Sequence, residues 1–178
     1  MATQTTKLIT ISDYSDWWQN SAYLEEAKLN PNILKAQIAD LKPILDNSKL
    51  VGFSLYEDLQ DYIEASKTPT DSDLDTLLES ITPFLVYASL KYYLQLANVY
   101  PTNMGFRKLL ETNSEAISDE AMSAIMDSTI ATAKKFEYDL RQFLCENHET
   151  YTWDVSKASK FSSTVKIGKV GFKKVDHT

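Results

Sequence analysis

Three carboxylates, Glu57, Asp61 and Glu64, recur at spacings of four and three within "LYEDLQDYIEAS". On a helix that spacing sets them on one face. All-helical enzymes hold divalent metals for hydrolysis with carboxylates of this kind, but they need a second cluster from a facing helix beside an apolar pocket. Nothing else in the chain supplies that second cluster, so the triplet reads as a solvated helix face rather than a magnesium site for nucleotide hydrolysis. Cys145, the only cysteine, sits among apolar residues with no His or Lys at an activating spacing, the setting of an inert thiol. The two histidines, His148 and His177, fall at the end of a helical pattern and in a polar tail, which is no arrangement for a paired base or metal. No phosphate-cradling glycine loop, GxSxG or HExxH occurs. The sequence predicts no catalytic residue, no cofactor and no metal ligand, so the expectation is a protein that is not an enzyme.

Composition bounds what remains. A chain of 178 residues with 43% hydrophobic and 24% charged residues can bury a core without disulfides or metal. A single cysteine points to a reducing compartment, and no stretch approaches the roughly 20 apolar residues of a membrane helix. The N-terminus shows no apolar run of signal-peptide length. Ten tyrosines are the one excess, suited to core edges and to protein interfaces. Charge is divided unevenly: residues 1–154 carry 24 acidic and 12 basic side chains, net -12, whereas residues 155–178 carry six lysines and one aspartate, net +5. An acidic body argues against wrapping nucleic acid, which needs clustered Lys and Arg. A basic tail on an acidic body can instead dock on the acidic body of a neighbouring copy.

The elements that must position any binding surface are mostly helical. "KLITI", residues 7–11, is short and β-branched, and Ser12 or Asp13 caps a short helix carrying Tyr14, Trp17 and Trp18. Adjacent tryptophans cannot both face one core, so one packs under another element while the other lies at a contact surface, or both thicken a core edge. Asn30-Pro31 opens the next helix, with Leu34, Ile38, Leu41 and Leu45 as its stripe and a kink near residue 40 imposed by Pro43. Gly52 permits a turn before a helix with Leu55, Leu59 and Ile63 inside. A polar loop with capping residues around Thr70 to Ser72 precedes the most apolar helix, about 73–98, which should be buried on more than one side and bent at Pro83. Ser118 with Asp119 and Glu120 starts the last helix, about 119–147, whose apolar face runs through Ala121, Ile125, Ile130, Ala133, Phe136, Leu140, Phe143 and Leu144. Small residues, Ala124, Ser128 and Ala131, leave room for another helix. The fold class expected is an all-α helical bundle with long central and C-terminal helices plus an extended, β-prone C-terminal arm. Its parts are an N-terminal extension over 1–30, a helical core over 31–150 and the basic arm over 151–178.

Between the two longest helices lies "ANVYPTNMGFRKLL", residues 97–110, with Pro101, Thr102, Asn103 and Gly105. Only four glycines occur, and three stand before phenylalanine: Gly52, Gly105 and Gly171. The segment Val99 to Phe106 is expected to be a pre-formed bend, either a plain connection or a loop or short strand that meets a neighbouring molecule. In the arm, Val165 and Ile167 alternate before Gly168 shifts the register to Val170 and Phe172. An arm of this kind orders by adding itself to another surface or sheet edge. The candidate interface residues are therefore Trp17, Trp18, Thr102, Asn103, Gly105, Phe106, Val165, Ile167, Val170 and Phe172.

The order of these features, "ILKAQIADLKPILDNSKLVGFSLYEDL", then "LLESITPFLVYASLKYYLQLANV", the break "PTNMGF" and "AMSAIMDSTIATAKKFEYDLRQFLCEN", resembles the small helical head-to-tail connector, or adaptor, proteins of tailed bacteriophages. The likeness is to those of Bacteroidota phages and crAss-like gut phages. It covers about residues 30–150 and rests on helix order with Pro43, Leu55-Tyr56, Pro83, Thr102-Asn103 and Gly105 as anchors. The resemblance implies a structural virion protein forming a ring, commonly a twelve-fold homo-oligomer, that joins the portal to the tail. Its partners would be the portal protein and a neighbouring tail or second ring protein, with DNA passing through its channel without specific binding and no membrane involved. Such a protein is made in the host bacterial cytoplasm and ends at the head-tail junction of the virion. The lysine-rich tail has no counterpart in the resemblance, and a neighbouring subunit, a portal or tail protein and DNA stay open as its partner. A small helical regulator or inhibitor that binds one partner would show much the same sequence.

Overall fold

The computed structural model describes residues 6–18, 24–47, 52–65, 72–96, 99–102, 105–108 and 118–155. Among these, a 3-10 turn (Ile11–Tyr14) precedes α1 (Glu26–Ala36), a π turn (Gln37–Leu41), α2 (Lys42–Leu45), α3 (Leu55–Glu64), α4 (Ser72–Leu96), the strands β1 (Val99–Thr102) and β2 (Gly105–Lys108), and α5 (Asp119–Glu146). The architecture is an all-α bundle around α4, which packs chiefly on α5 and α1.

Residues 6–9 join no strand, and glutamine side chains satisfy the backbone of Thr6 and Leu8 instead. Gln37 accepts from the Leu8 amide at 2.9 Å and donates to the Thr6 carbonyl at 3.0 Å, while Gln60 accepts from the Thr6 amide at 2.7 Å and donates to its carbonyl at 2.8 Å. An unpaired buried amide or carbonyl is costly, which explains why Gln37 is fully buried in a chain with few buried polar side chains. The following 3-10 turn starts two residues earlier than a Ser12 cap requires. Thr10 is its cap, and its amide donates to Asp13 Oδ2 at 2.6 Å.

The first long helix departs from its expected frame. α1 begins at Glu26, and Pro31 stands inside it rather than at its start. The Lys28 and Leu29 amides bond the Glu25 carbonyl, and buried Leu24 and Leu29 hold this earlier turn against the core. Apolar anchorage therefore outweighs the single amide that Pro31 lacks. Pro43 acts as expected, but the deviation takes the form of a π turn at Gln37–Leu41 upstream of it. The extra residue in that turn changes the phase of the helix. Leu29, Ile33, Ala36, Leu41, Ile44 and Leu45 face the core, and Ile38, expected inside, is 52% exposed.

Gly52 turns the chain with φ of +84°, a conformation glycine adopts without penalty. Ser54 then caps α3 by accepting from the Glu57 amide at 3.1 Å, and Leu55, Tyr56, Leu59 and Tyr62 are buried. The capping series around Thr70 lies mostly outside the described residues. α4 runs unbroken through Pro83, and Leu77, Ile81, Phe84, Leu85, Val86, Ala88 and Leu90 are all buried, so burial covers more than one side of this helix. Tyr14 reaches its interior: the Tyr14 hydroxyl bonds Ser89 Oγ, and Ser89 donates to the Leu85 carbonyl at 2.7 Å.

α5 starts at Ser118, which accepts from the Ala121 amide at 3.2 Å. Ala133, Leu140 and Leu144 are buried, but Ile125, expected on the same face, is 41% exposed. Residues 151–155, which open the basic arm in the sequence reading, pack into the core. Trp153 is fully buried, its Nε1 donates to the Ile44 carbonyl at 2.9 Å, and the Tyr151 hydroxyl donates to the Asp73 carbonyl at 2.7 Å. The Asp154 amide bonds the Asn47 carbonyl at 2.8 Å, and Asn47 Nδ2 returns a bond to the Asp154 carbonyl at 3.1 Å.

Candidate functional site

The carboxylate face of α3 is open to solvent. Glu57, Asp61 and Glu64 are exposed, Glu64 accepts from Thr6 Oγ1 at 2.5 Å, and Lys42 lies 3.8 Å from Glu57. Among the described residues no group of three or more His, Cys, Asp or Glu is placed to hold a metal ion. No helix among them is long and apolar enough to cross a membrane. His148 is spent on the end of α5, its Nδ1 at 3.0 Å from the Cys145 carbonyl.

The two tryptophans sit at the junction of three elements. Trp17 is 39% exposed and meets the edge of Phe136 of α5 at a ring distance of 5.5 Å, while its carbonyl accepts from the Tyr87 hydroxyl of α4 at 2.8 Å. Tyr87 stacks on the same Phe136 at 5.5 Å. Trp18 is half-buried and packs against the core. Of the two rings, Trp18 lies further inward and Trp17 nearer the surface.

Between the two longest helices, Val99–Thr102 and Gly105–Lys108 pair as a two-stranded ribbon. β1 and β2 run antiparallel with Val99 opposite Lys108, Tyr100 opposite Arg107, Pro101 opposite Phe106 and Thr102 opposite Gly105. Among the described residues each strand pairs only with the other. Thr102, Gly105 and Phe106 are therefore brought together in one ribbon. Asn103 and the arm residues Val165, Ile167, Val170 and Phe172 lie outside the described residues.

Two clefts flank the amino-terminal part of α4. One, of about 450 Å³, is lined by Phe53, Asp61, Tyr62, Leu74 and Tyr151, among others. The second, of about 510 Å³, lies between residues 7–17, Ile63 of α3 and the first turns of α4. Leu8, Ile63 and Leu78 supply its apolar surface, Trp17 stands at it, and Asp75 and Glu79 border it. Asp75 and Glu79 are both exposed, one helical turn apart. Sequence reading missed this pair, although the i, i+4 acids on an otherwise apolar helix were a visible signal. It also missed Tyr138, 64% exposed in the middle of α5.

Charged groups inside the body are paired. Lys91 Nζ reaches Asp40 Oδ2 at 2.9 Å and Tyr92 donates to Asp40 Oδ1 at 3.2 Å, tying the π turn to α4. Burial pulls the Lys91 ammonium down, but Asp40 and Tyr92 outweigh it and raise its pKa. The hydrogen bond that Lys42 donates to Asp46 likewise raises the Lys42 pKa. Burial raises the Tyr14 and Tyr56 phenols.

The model of one protein family, described as a family of unknown function (DUF6712), matches residues 47–163, from the end of α2 through the hairpin and α5 to beyond Trp153. No curated protein and no solved structure matches the chain.

Proposed function

We propose that this chain, which belongs to the DUF6712 family, is a structural ring protein of a tailed-phage virion. In this reading it stands at the portal vertex, joins the head to the tail and continues the DNA channel. The observation that carries it is the hairpin between α4 and α5. A two-stranded ribbon is marginal in water by itself, and among the described residues neither strand pairs with a third, which leaves an edge for a further strand. Strand addition from one molecule to the edge of the next uses two different faces, and such heterologous contacts close into rings. The acidic body, net -12 over residues 1–154, suits a surface past which phosphates travel without sticking. The resemblance of the "PTNMGF" break and the helix order to phage connectors supports the same reading.

Negative-stain electron microscopy with mass photometry, on the chain alone and mixed with the cognate portal protein, tests it. Rings in either sample are the expected result. A monomer that ignores the portal overturns the proposal and leaves a small helical regulator as the better account. A Gly105→Val variant refines the test, since a helical, cooperatively melting monomer that no longer forms rings assigns the contact to the hairpin.

A further inference from the structure

We propose that the cleft bordered by Asp75 and Glu79 receives the lysine-rich C-terminal segment of a second copy of the chain, an inference that rests on the ring reading above. The two chemistries match. The cleft offers apolar surface from Leu8, Ile63 and Leu78 with Trp17 beside it, and two exposed acids that make no ion pair among the described residues. The segment "VKIGKVGFKK", residues 165–174, interleaves Val165, Ile167, Val170 and Phe172 with lysines. Extended chain turns alternate side chains to opposite sides, so Val165 and Ile167 face away from Lys166, Val170 and Phe172 face away from Lys169 and Lys173, and a bulge at Gly168 brings the two apolar pairs to one side, where they can enter a cleft while ammonium groups stay at its acidic rim.

Charge selects this occupant over an unrelated acidic or neutral one. The body is net -12 and the tail net +5, so tail and body of two copies attract while body and body repel. Lys7, which also borders the cleft, donates to Asn30 Oδ1 at 3.0 Å and stands 4.0 Å from Glu26, so its charge is already balanced. Each arm contact is weak alone, but subunits held side by side meet it at high effective concentration.

The test places p-benzoylphenylalanine at position 172 of the full chain, mixes isotope-labelled with unlabelled protein, irradiates, and maps the crosslinked peptides. Expected are crosslinks from the tail to residues 7–17 and 72–82 that join labelled to unlabelled chains. Their yield should fall about tenfold in Asp75→Lys/Glu79→Lys and recover when Lys166→Glu and Lys169→Glu are added. Crosslinks confined to one isotope place the tail on its own body and overturn the proposal, as do crosslinks that map elsewhere. The ring reading is scored separately by mass photometry of the same samples. Rings with tail crosslinks elsewhere reject the docking alone, and mixed-isotope crosslinks in the cleft of a mere dimer reject the ring alone.

Discussion

The two halves of α5 share one helix and live in different surroundings. From Ala133 onward the helix buries Ala133, Leu140 and Leu144, with Phe136 and Phe143 packed partly against the core. Before that point Thr129 is its one buried residue among those described, and Ile125 is 41% exposed. Helical hydrogen bonds are the same in both halves, so the difference lies in packing, and packing supplies most helix stability in water. The second half belongs to the core. The first half is held by its cap and by continuity with the rest of the helix.

The comparison breaks most sharply at Trp153. Trp153→Ala removes a fully buried ring and its bond to the Ile44 carbonyl, and should cost about 3–5 kcal/mol in urea unfolding, loosening the second half of α5 with it. A loss below about 1 kcal/mol would show that this end of the core is not packed as described. Ser118→Ala should cost about 1 kcal/mol and act locally. Hydrogen exchange should quicken for amides near residues 119–128 and stay unchanged beyond Ala133. Uniform acceleration would make the two halves a single cooperative unit.

Tyr14, Tyr56, Lys42 and Lys91, whose pKa values are raised, all lie outside α5, so alkaline titration tests the packed body through them. Their folded pKa values are raised, so the unfolded chain gives up these protons first. The stability they add is therefore full below about pH 10 and is lost as pH climbs through the folded values. Denaturant midpoints measured across that range should fall, and a Tyr14→Phe variant should show a shallower decline. The smallest expected effect on stability is that of Ile125→Ser, within about 0.5 kcal/mol, since its side chain is already half in water. Its informative readout is assembly: loss of rings at unchanged stability would identify the first half of α5 as a contact surface.

Much of this frame is legible in the sequence. Ser118 followed by acids marks the start of α5, and the apolar run of residues 74–90 marks α4 as the central helix, because capping and burial leave local signatures. What was not legible depends on distant partners. Trp153 sits in a Ser- and Lys-rich stretch whose composition resembles a tail, and only the carbonyl of Ile44, 109 residues away, explains its burial. Gln37 looks like a surface residue until the partnerless backbone of Thr6 and Leu8 is brought beside it. Ile38 and Ile125 follow the periodicity of their neighbours yet face solvent, the first because a π turn shifts the phase of the helix and the second because no described element covers it. Of the candidate interface, the turn-forming stretch around Gly105 was visible as a break, while its pairing as a ribbon depends on register that composition does not set.

The clasp between Asn47 and Asp154 also has a mechanical meaning. A pull on the C-terminal arm enters the fold at Asp154, where two bonds to Asn47 and the anchored Trp153 ring take the load before it reaches α5. The chain leading into the arm is thus moored at the end of α2, and tension along it is borne by that part of the core instead of peeling the last helix from its end.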